Sequence, residues 1–419
     1  GRDYFAALAQ LSQPQVWLDK LGQLSHQLIQ TLPESSLKDL LKLDDYRNEL
    51  LGLLKPIERS LSEWQSRWFT ETSQNEYRFE HAALPALWQK QAEPIASCAL
   101  KTLGVLDKIS SAVGEVALTS SKQKNQSKLL QELSQLAQKL EQQHALWQLY
   151  AQPQKEPAYQ ARWVAKDDNE QLTAHACPLS VAQSLEHMLF SQAYASILCS
   201  ATLTVLNSFE HIKYELGLHE HPGLQTVRVD SPFAYQQNGV ILLPKMQHEP
   251  TANAYTDELI AILPDYLSQH QGTLVLFASY WQMQQVAQAL RAKGFSLLVQ
   301  GEASRQSLLS LHRENCQHNK TSILFGTQSF SEGLDLPGKL LTNLIITKLP
   351  FAVPTSPLEA AMSEAVTRKG GNPFVQLAIP ATARKLVQAC GRLLRQEQDQ
   401  GRIVILDRRL VTKSYGKAM

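Results

Sequence analysis

The chain has 419 residues, a net charge of +1 and 43% hydrophobic residues, which is typical of a globular protein with two or three domains. It contains no run of about 18 apolar residues, so we expect no membrane span. The five cysteines lie far apart without a Cys-x-x-Cys pair, which argues against a metal site or a disulfide framework built from them and favours buried thiols in a reducing cytoplasm. The first residue is Gly1, and we expect a chain that is entered part-way through a longer protein.

Residues 1–150 are predicted to form a helical bundle. Apolar residues recur at helical spacing in three stripes, which are interpreted as core faces. The polar run from Ser120 to Ser127 is interpreted as a solvated loop before the third stripe. The stripes are Trp17, Leu21, Leu24 and Leu28, then Leu61, Trp64 and Trp68, then Leu129, Leu133, Leu136, Leu140 and Trp147.

Residues 151–228 differ in character. Two short alternating runs, Tyr159 to Ala165 and Gln171 to Cys177, flank a polar link and predict a β-hairpin. A helix is expected around residues 180–190. The apolar run from Ala195 to Leu203 is predicted to be a strand that ends in Ser200-Ala201-Thr202. Small hydroxyl residues at the carboxyl end of a strand occupy a place where ligands bind in α/β sheets, although an ordinary buried strand and turn would look the same.

Strands and helices alternate from residue 229 to residue 419. The run from Gly272 to Ser279 is continuously apolar and bounded by glycine and serine, which is typical of a strand buried in a parallel sheet. Further strands are predicted at 238–243, 295–300, 322–326, 341–348 and 401–407, and helices at 257–267, 280–293 and 307–313. This alternation predicts a doubly wound, mostly parallel α/β sheet.

A polar loop follows the predicted strand at 322–326. Between Gly326 and Gly338 it combines hydroxyls, glycines and the carboxylates of Glu332 and Asp335. Backbone donors at glycine and serine suit phosphates, and carboxylates suit ribose hydroxyls or a basic partner. A solvated loop would explain the polarity equally well.

The stretch from Gln388 to Arg395 is predicted to be one helix. At 100° per residue, Gln388, Arg392 and Arg395 fall on one side, and Leu386, Val387, Cys390, Leu393 and Leu394 fall on the other. Aligned guanidinium groups can bind phosphate oxygens in fork geometry, and an ordinary surface helix is the alternative. Residues 381–419 hold nine lysines and arginines against three acids, which favours an anionic partner.

Taken in this order, the polar segments resemble the motifs of superfamily 2 DNA helicases of the DinG/XPD (Rad3-related) family, and of its bacterial DinG branch in particular. Ser200 to Leu203 is similar to motif III, and Leu274 to Ser279 to motif IV. Ser329 to Asp335 is similar to motif V, and Gln388 to Arg395 to motif VI. The resemblance covers most of the chain and is strongest from Ile197 to the end. It implies a RecA-like second motor domain at 229–419, the returning end of the first motor domain at 151–228, and an arch-like helical insertion at 1–150.

The resemblance also implies roles at the nucleotide. Arg392 and Arg395 would be arginine fingers that approach the γ-phosphate of ATP, and Gln388 would help to sense that phosphate. Ser200 and Thr202 would couple hydrolysis to movement between the motor domains.

Two further groups of residues receive roles in the same way. Glu332 and Asp335, which flank Gly333, would link the nucleotide to the cleft between the domains. The sugar–phosphate chain of DNA would be contacted by Ser279 and by backbone donors near Gly326 and Thr327. Contacts of this kind bind single-stranded or forked DNA without sequence preference.

The sequence departs from the family in its phosphate-binding half. It contains no Gly-x-x-x-x-Gly-Lys-Ser/Thr loop for the phosphates and no Asp-Glu-Ala-His motif for Mg²⁺. The family's cysteines for a 4Fe–4S cluster would also lie upstream, so no metal ligand is assigned in this chain. The main hypothesis is therefore the C-terminal part of a monomeric, ATP- and Mg²⁺-dependent 5′→3′ DNA helicase, inactive as an ATPase by itself. The alternative is a self-standing nucleic-acid-binding or interaction module without motor activity.

Overall fold

The computed structural model describes residues 5–29, 32–69, 75–115, 120–153, 160–167, 169–231, 234–267, 272–331, 333–352 and 356–419. The chain divides into two compact units. The first, here called the helical unit, comprises Gly1–Gln192 and Pro354–Pro373; the second, the sheet unit, comprises Ala193–Val353 and Phe374–Met419. Among the helices of these ranges, none is long and apolar enough to cross a membrane.

The elements are numbered in chain order. The strands are β1 Ala7–Gln10, β2 Glu76–Arg78, β3 Gln160–Lys166, β4 Leu172–Pro178, β5 Gly239–Leu242, β6 Gly272–Phe277, β7 Leu298–Val299, β8 Ser322–Thr327, β9 Asn343–Ile346 and β10 Gly401–Ile405. The α-helices are α1 Pro14–Ile29, α2 Leu37–Trp68, α3 Ala86–Glu115, α4 Ser120–Ala151, α5 Ala182–Leu185, α6 Glu210–Leu216, α7 Tyr235–Asn238, α8 Tyr255–Leu267, α9 Tyr280–Ala292, α10 Arg305–Gln317, α11 Gln328–Ser331, α12 Pro357–Arg368, α13 Ile379–Cys390 and α14 Arg409–Thr412.

The helical unit packs α1 to α4 around one core. The apolar stripes read from the sequence lie on these helices, and their members are buried or packed against the buried cluster. The predicted hairpin is confirmed as β3 and β4, which pair antiparallel over their full length. Two short strands complete an antiparallel sheet in the order β1-β4-β3-β2. Neither β1 nor β2 was predicted, because three- and four-residue strands carry little periodicity.

A buried arginine lies at the centre of the helical unit. Arg162 on β3 is 1% exposed. Its Nη1 donates to the carbonyl oxygen of Ala82 at 3.0 Å, and its Nη2 donates to those of Leu149 and Gln152 at 2.9 and 3.0 Å. Burial lowers the pKa of Arg162 to about 10. The guanidinium therefore ties a strand, a turn and the end of α4 together through the backbone.

The predicted loop at Ser120–Ser127 is wrong, because α4 begins at Ser120 and runs to Ala151. Lysine and glutamine make up half of this stretch of the sequence, and both have high helix propensity. A helix surface that is polar on all sides gives no apolar stripe, so periodicity could not distinguish it from a loop.

The sheet unit is built on six parallel strands in the order β5-β10-β9-β6-β8-β7. Alternate residues of β6 point to opposite faces: Val275 and Phe277 join the cluster that includes α9, whereas Leu274 and Leu276 join the one that includes α13. The strand is buried along its whole length. The predicted doubly wound α/β sheet and the helical bundle are both confirmed.

The predicted strand from Ala195 to Leu203 is wrong. This segment has no regular secondary structure, and Ile197 and Leu198 are 91% and 46% exposed. A strand is stabilised by the hydrogen bonds of its neighbours, and within the described ranges no strand pairs with this segment.

The compact units do not divide the chain at residues 150 and 228. Because β4 pairs with both β1 and β3, the predicted hairpin belongs to the helical unit, which extends to Gln192. The helix α12, which was not predicted, also belongs to that unit, where Arg78 Nη1 forms a 2.7 Å ion pair with Glu364 Oε2. The division into domains at 1–150, 151–228 and 229–419 stays a prediction.

Candidate functional site

The helix α13 ends earlier than the sequence predicted. It stops at Cys390, with Gly391 as its C-cap, and the N–H groups of Arg392 and Leu393 then donate three residues back, to Ala389 and Cys390. The prediction of one helical face through Gln388, Arg392 and Arg395 is therefore wrong, since only Gln388 lies on the helix. Glycine is a poor helix residue because it has the most backbone freedom to lose.

The predicted packing face is correct for most of its residues and wrong for one residue on α13. Leu386, Leu393 and Leu394 are buried, but Val387 is 53% exposed. Burial raises the pKa of the Cys390 thiol to about 12, so Cys390 remains a neutral packing residue.

The two arginines nevertheless meet at one atom. Arg392 Nη1 and Arg395 Nη2 each donate to the carbonyl oxygen of Leu334, both at 3.2 Å. Arg395 Nε also lies 3.9 Å from Asp335 Oδ1. The segments similar to motifs V and VI are thus in contact, through a turn rather than through a helical face.

A buried carboxylate holds this turn. Asp399 is 5% exposed; its Oδ2 accepts from the N–H groups of Arg395 and Gln396 at 2.8 and 2.9 Å, and its Oδ1 accepts from the N–H of Gly338 at 3.1 Å. Sequence reasoning missed Asp399. An aspartate a few residues after a helix end is typical of a turn, but its bond to Gly338 could not be read from the sequence.

The predicted acidic loop is only partly described. Gly333 adopts a φ of +68°, which suits glycine. Asp335 is exposed, with Arg395 as its ionic partner. Glu332 lies outside the described residues, so its predicted role stays a prediction.

The structure also brings together Gln388 and the Ser-Ala-Thr segment. Gln388 Nε2 lies 3.5 Å from Thr202 Oγ1. Ser200 Oγ accepts from the N–H of Thr202 at 3.2 Å and lies 3.3 Å from its Oγ1. Ser200 and Gln388 are exposed and Thr202 is half-buried, so the three form a polar cluster at the surface of the sheet unit.

The predicted DNA-contacting residues lie at the carboxyl edge of the sheet. Ser279 caps α9 by accepting from the N–H of Gln282. The N–H and Oγ1 of Thr327 both donate to Gln300 Oε1, at 2.8 and 2.9 Å. A Cβ at Gly326 would lie 2.4 Å from Phe330 Cδ1, so packing explains this glycine. In this structure the predicted backbone donor at Thr327 therefore bonds to Gln300, which sequence reasoning missed.

Two aromatic residues at the same edge were also missed. Tyr280 and Trp281 open α9 directly after Ser279 and are 49% and 65% exposed. Arg305 opens α10, the next helix in the chain. The sequence does contain a signal for these residues, since an aromatic pair directly follows a buried strand. Aromatic side chains at that position lie beyond the core and can be exposed for binding.

Known proteins are similar to this chain in sequence. A family model described as a helicase C-terminal domain matches residues 264–419. A Photobacterium profundum protein described as ATP-dependent DNA helicase DinG is 41% identical over 429 residues, which cover 100% of this chain and 61% of that protein. The Escherichia coli protein of the same description is 34% identical over 300 residues, covering 70% of this chain and 42% of that protein.

Among solved structures, one titled "Structure of S. tokodaii Xpd4" is similar with a TM-score of 0.48 and 14% identity, over 97% of this chain and 69% of that chain. The chain spans about three fifths of the length of the Photobacterium relative and about two fifths of the other.

Proposed function

The chain belongs to the DinG/XPD family of helicases, and we propose that it supplies the second motor half of an ATP-dependent helicase that moves 5′→3′ on single-stranded DNA. The observation that carries this proposal is the convergence of Arg392 and Arg395 on the Leu334 carbonyl oxygen. Two guanidinium groups fixed at one point are the arrangement that phosphoryl transfer needs, since negative charge builds up on the transferred phosphate.

The hydrogen bonds from the two arginines to the Leu334 carbonyl oxygen can be replaced by stronger bonds to a phosphate. A neutral carbonyl oxygen accepts a weaker hydrogen bond than a phosphate oxygen does. The two hydrogen bonds to the Leu334 carbonyl oxygen can therefore be exchanged for bonds to a nucleotide at little cost. Asp399, which holds the backbone of Arg395, keeps the turn in place during that exchange. In this proposal Asp399 is a positioning residue.

The nucleotide itself needs groups from elsewhere. Bound ATP would supply the transferred phosphoryl group, and Mg²⁺ would neutralise its charge. The described residues contain no group of three or more His, Cys, Asp or Glu side chains able to hold a metal, and the sequence has no phosphate loop. The residues present do not fit Mg²⁺ or an iron–sulfur cluster, so both belong to the remainder of the proposed helicase. By itself, this chain should not hydrolyse ATP.

The carboxyl edge of the sheet suits single-stranded DNA. It presents the hydroxyl group of Ser279 and the exposed rings of Tyr280 and Trp281. Proteins that bind single strands combine contacts to the phosphates with aromatic side chains on which bases stack. Residues 1–150, which contain most of the buried core of the helical unit, are assigned to the family's arch in this proposal.

The test is an alanine substitution in a full-length helicase that contains this chain. Arg392→Ala should lower kcat for DNA-stimulated ATP hydrolysis by about 10³-fold, the scale of an arginine finger, while the affinity for oligo(dT) stays within about threefold. Arg384→Ala is the matched control, because Arg384 also lies on α13 but pairs with Glu215 at 3.6 Å; it should leave kcat within about twofold. An equal loss of DNA binding and kcat in the Arg392 variant would identify a structural role instead.

A further inference from the structure

A small cavity lies at the switch point of the parallel sheet. The connection that follows β6 runs through α9 on one face of the sheet. The connection from β9 to β10 runs through α13 on the other face. The neighbouring strands β6 and β9 thus have connections that diverge. In open α/β sheets, ligands bind in the crevice outside the carboxyl ends of two such strands.

The cavity occupies this crevice. Its volume is about 160 Å³, well above the roughly 10–15 Å³ that one water needs. Phe277 and Ala278 line it from the end of β6, Lys348 and Phe351 from the segment after β9, and Lys385 from α13. Two lysines therefore line a cavity whose other walls are largely apolar.

Two lysines line this cavity, and across the described ranges neither Lys348 nor Lys385 forms an ion pair or a hydrogen bond through its side chain. Lys348 is half-buried, and its pKa is lowered by burial and by the charge of Arg409, with partial compensation from Asp407. Keeping Lys348 protonated at this position therefore costs free energy, and an anion in the cavity would offset that cost.

The nearby acid is already engaged. Asp407 is 2% exposed; its Oδ2 accepts from the N–H of Leu349 at 2.8 Å and from Arg409 Nη2 at 2.6 Å, and its Oδ1 accepts from Arg409 Nε at 2.9 Å. Arg409 also lies over the ring of Phe351, 5.1 Å from its centroid. These contacts fix the segment that carries Lys348 without neutralising the lysine.

We propose that this cavity is a phosphate-binding site in which the ammonium groups of Lys348 and Lys385 hold one phosphate group. The site lies at the same edge of the sheet as Ser279 and Thr327. In a helicase the phosphate would come from the DNA backbone or from a nucleotide. The assignment to DNA rests on the proposed function, whereas binding of a phosphate group does not.

Chemical labelling of the wild-type chain tests the site directly. A lysine with a lowered pKa has a larger neutral fraction and reacts readily with acetic anhydride at pH 8. Acetylation of Lys348, Lys385 and Lys320 is followed by peptide mass spectrometry with oligo(dT), ADP or inorganic phosphate as the added probe. Lys320, exposed at the opposite edge just before β8, is the internal control.

We expect oligo(dT) to slow acetylation of Lys348 and Lys385 at least fivefold and to leave Lys320 unchanged. Protection by ADP or inorganic phosphate, without protection by oligo(dT), would keep the phosphate site but contradict its assignment to DNA. Absence of protection by all three probes at millimolar concentration would overturn the proposal.

Salt dependence of oligo(dT) affinity supplies a second readout. Each phosphate contact to a single strand contributes about −0.7 to the slope of log K against log salt concentration. Lys348→Ala should make the slope shallower by about 0.7 and weaken binding several-fold, Lys348→Arg should restore both, and Lys320→Ala should change neither. An unchanged slope in a variant that still binds oligo(dT) would reject the site while leaving DNA binding by the chain intact.

Discussion

Arg162 in the helical unit and Arg395 in the sheet unit place their guanidinium groups in opposite environments. In the helical unit, Arg162 is almost fully buried and donates hydrogen bonds to backbone carbonyl oxygens. In the sheet unit, the arginine at the candidate site, Arg395, is 40% exposed, and its ionic partner Asp335 is 75% exposed. Buried polar groups must be satisfied within the protein, whereas exposed ones can change partner. The first arrangement stabilises a fold, and the second suits a binding site.

The sharpest way to break this comparison is to remove one arginine from each unit. Arg162→Met should lower the free energy of unfolding of the helical unit by about 3–5 kcal/mol, because three carbonyl oxygens lose their donor in a buried place. Arg395→Met should cost less than about 1 kcal/mol. Urea unfolding followed by tryptophan fluorescence reports mainly on the helical unit, because six of the seven tryptophans lie there and only Trp281 lies in the sheet unit. It therefore measures the effect of Arg162→Met.

The Arg395 variant needs a second probe, because tryptophan fluorescence reports little on the sheet unit. Far-ultraviolet circular dichroism reports both units, and its transition should stay within about 1 kcal/mol of the wild type. A loss comparable to that of Arg162→Met would mean that Arg395 is a structural residue.

A second prediction concerns the exposed rings at the sheet edge. Trp281→Ala should weaken oligo(dT) binding by about 5- to 100-fold, since stacking on an aromatic side chain contributes about 1–3 kcal/mol per base. Trp281→Phe should keep most of the affinity, and the unfolding transition should not move, because the ring is 65% exposed. Fluorescence anisotropy of a labelled oligonucleotide measures the change.

Tyr235→Ala is the matched control for Trp281. Tyr235 is 50% exposed and precedes β5, at the amino edge of the same sheet. If both variants weakened binding equally, general surface hydrophobicity rather than stacking at the carboxyl edge would explain the effect.

The smallest predicted effect is a dependence of stability on pH in the helical unit. Burial lowers the pKa of His175 from its ordinary value of 6.5 to about 4. The unfolded chain therefore binds a proton more readily than the folded one, and stability falls as pH drops below 6.5 and continues to fall until about 4. Partial exposure of the ring reduces the loss to about 1–2 kcal/mol at pH 4.

Urea midpoints at pH 7 and pH 4.5 test this dependence. His175→Phe keeps a ring for the stack with Trp163, whose centroid lies 4.8 Å from that of His175, but cannot be protonated. Its stability should vary less with pH than that of the wild type by about 1–2 kcal/mol. Equal pH dependence in the two proteins would assign the acid sensitivity to other groups.

Burial patterns explain why much of the fold was predictable. Strand β6 was predicted because it is buried on both faces, and the stripes of α1 and α4 because one face of each helix enters the core. Ala195–Leu203 was misread because its apolar residues look the same whether or not partner strands are present. An apolar run predicts the need for a partner, not the partner itself.

The candidate site was predictable in its residue types and not in its geometry. Arg392 and Arg395 were identified, but the helix that was expected to align them ends at Cys390. Their convergence depends on Leu334, more than 50 residues earlier in the chain, and on Asp399, which bonds to Gly338. Contacts between distant segments arise from tertiary packing, which single-sequence patterns do not contain.

In the proposed function, Arg392 and Arg395 act together as one pair of arginine fingers. This claim is tested most directly by kcat for DNA-stimulated ATP hydrolysis in a full-length helicase carrying Arg392→Ala, Arg395→Ala or both. Residues that act as a unit are strongly non-additive. We predict that each single variant loses about 10³-fold and that the double variant loses at most about tenfold more. Single variants that each retain more than about a tenth of the wild-type kcat would contradict the claim.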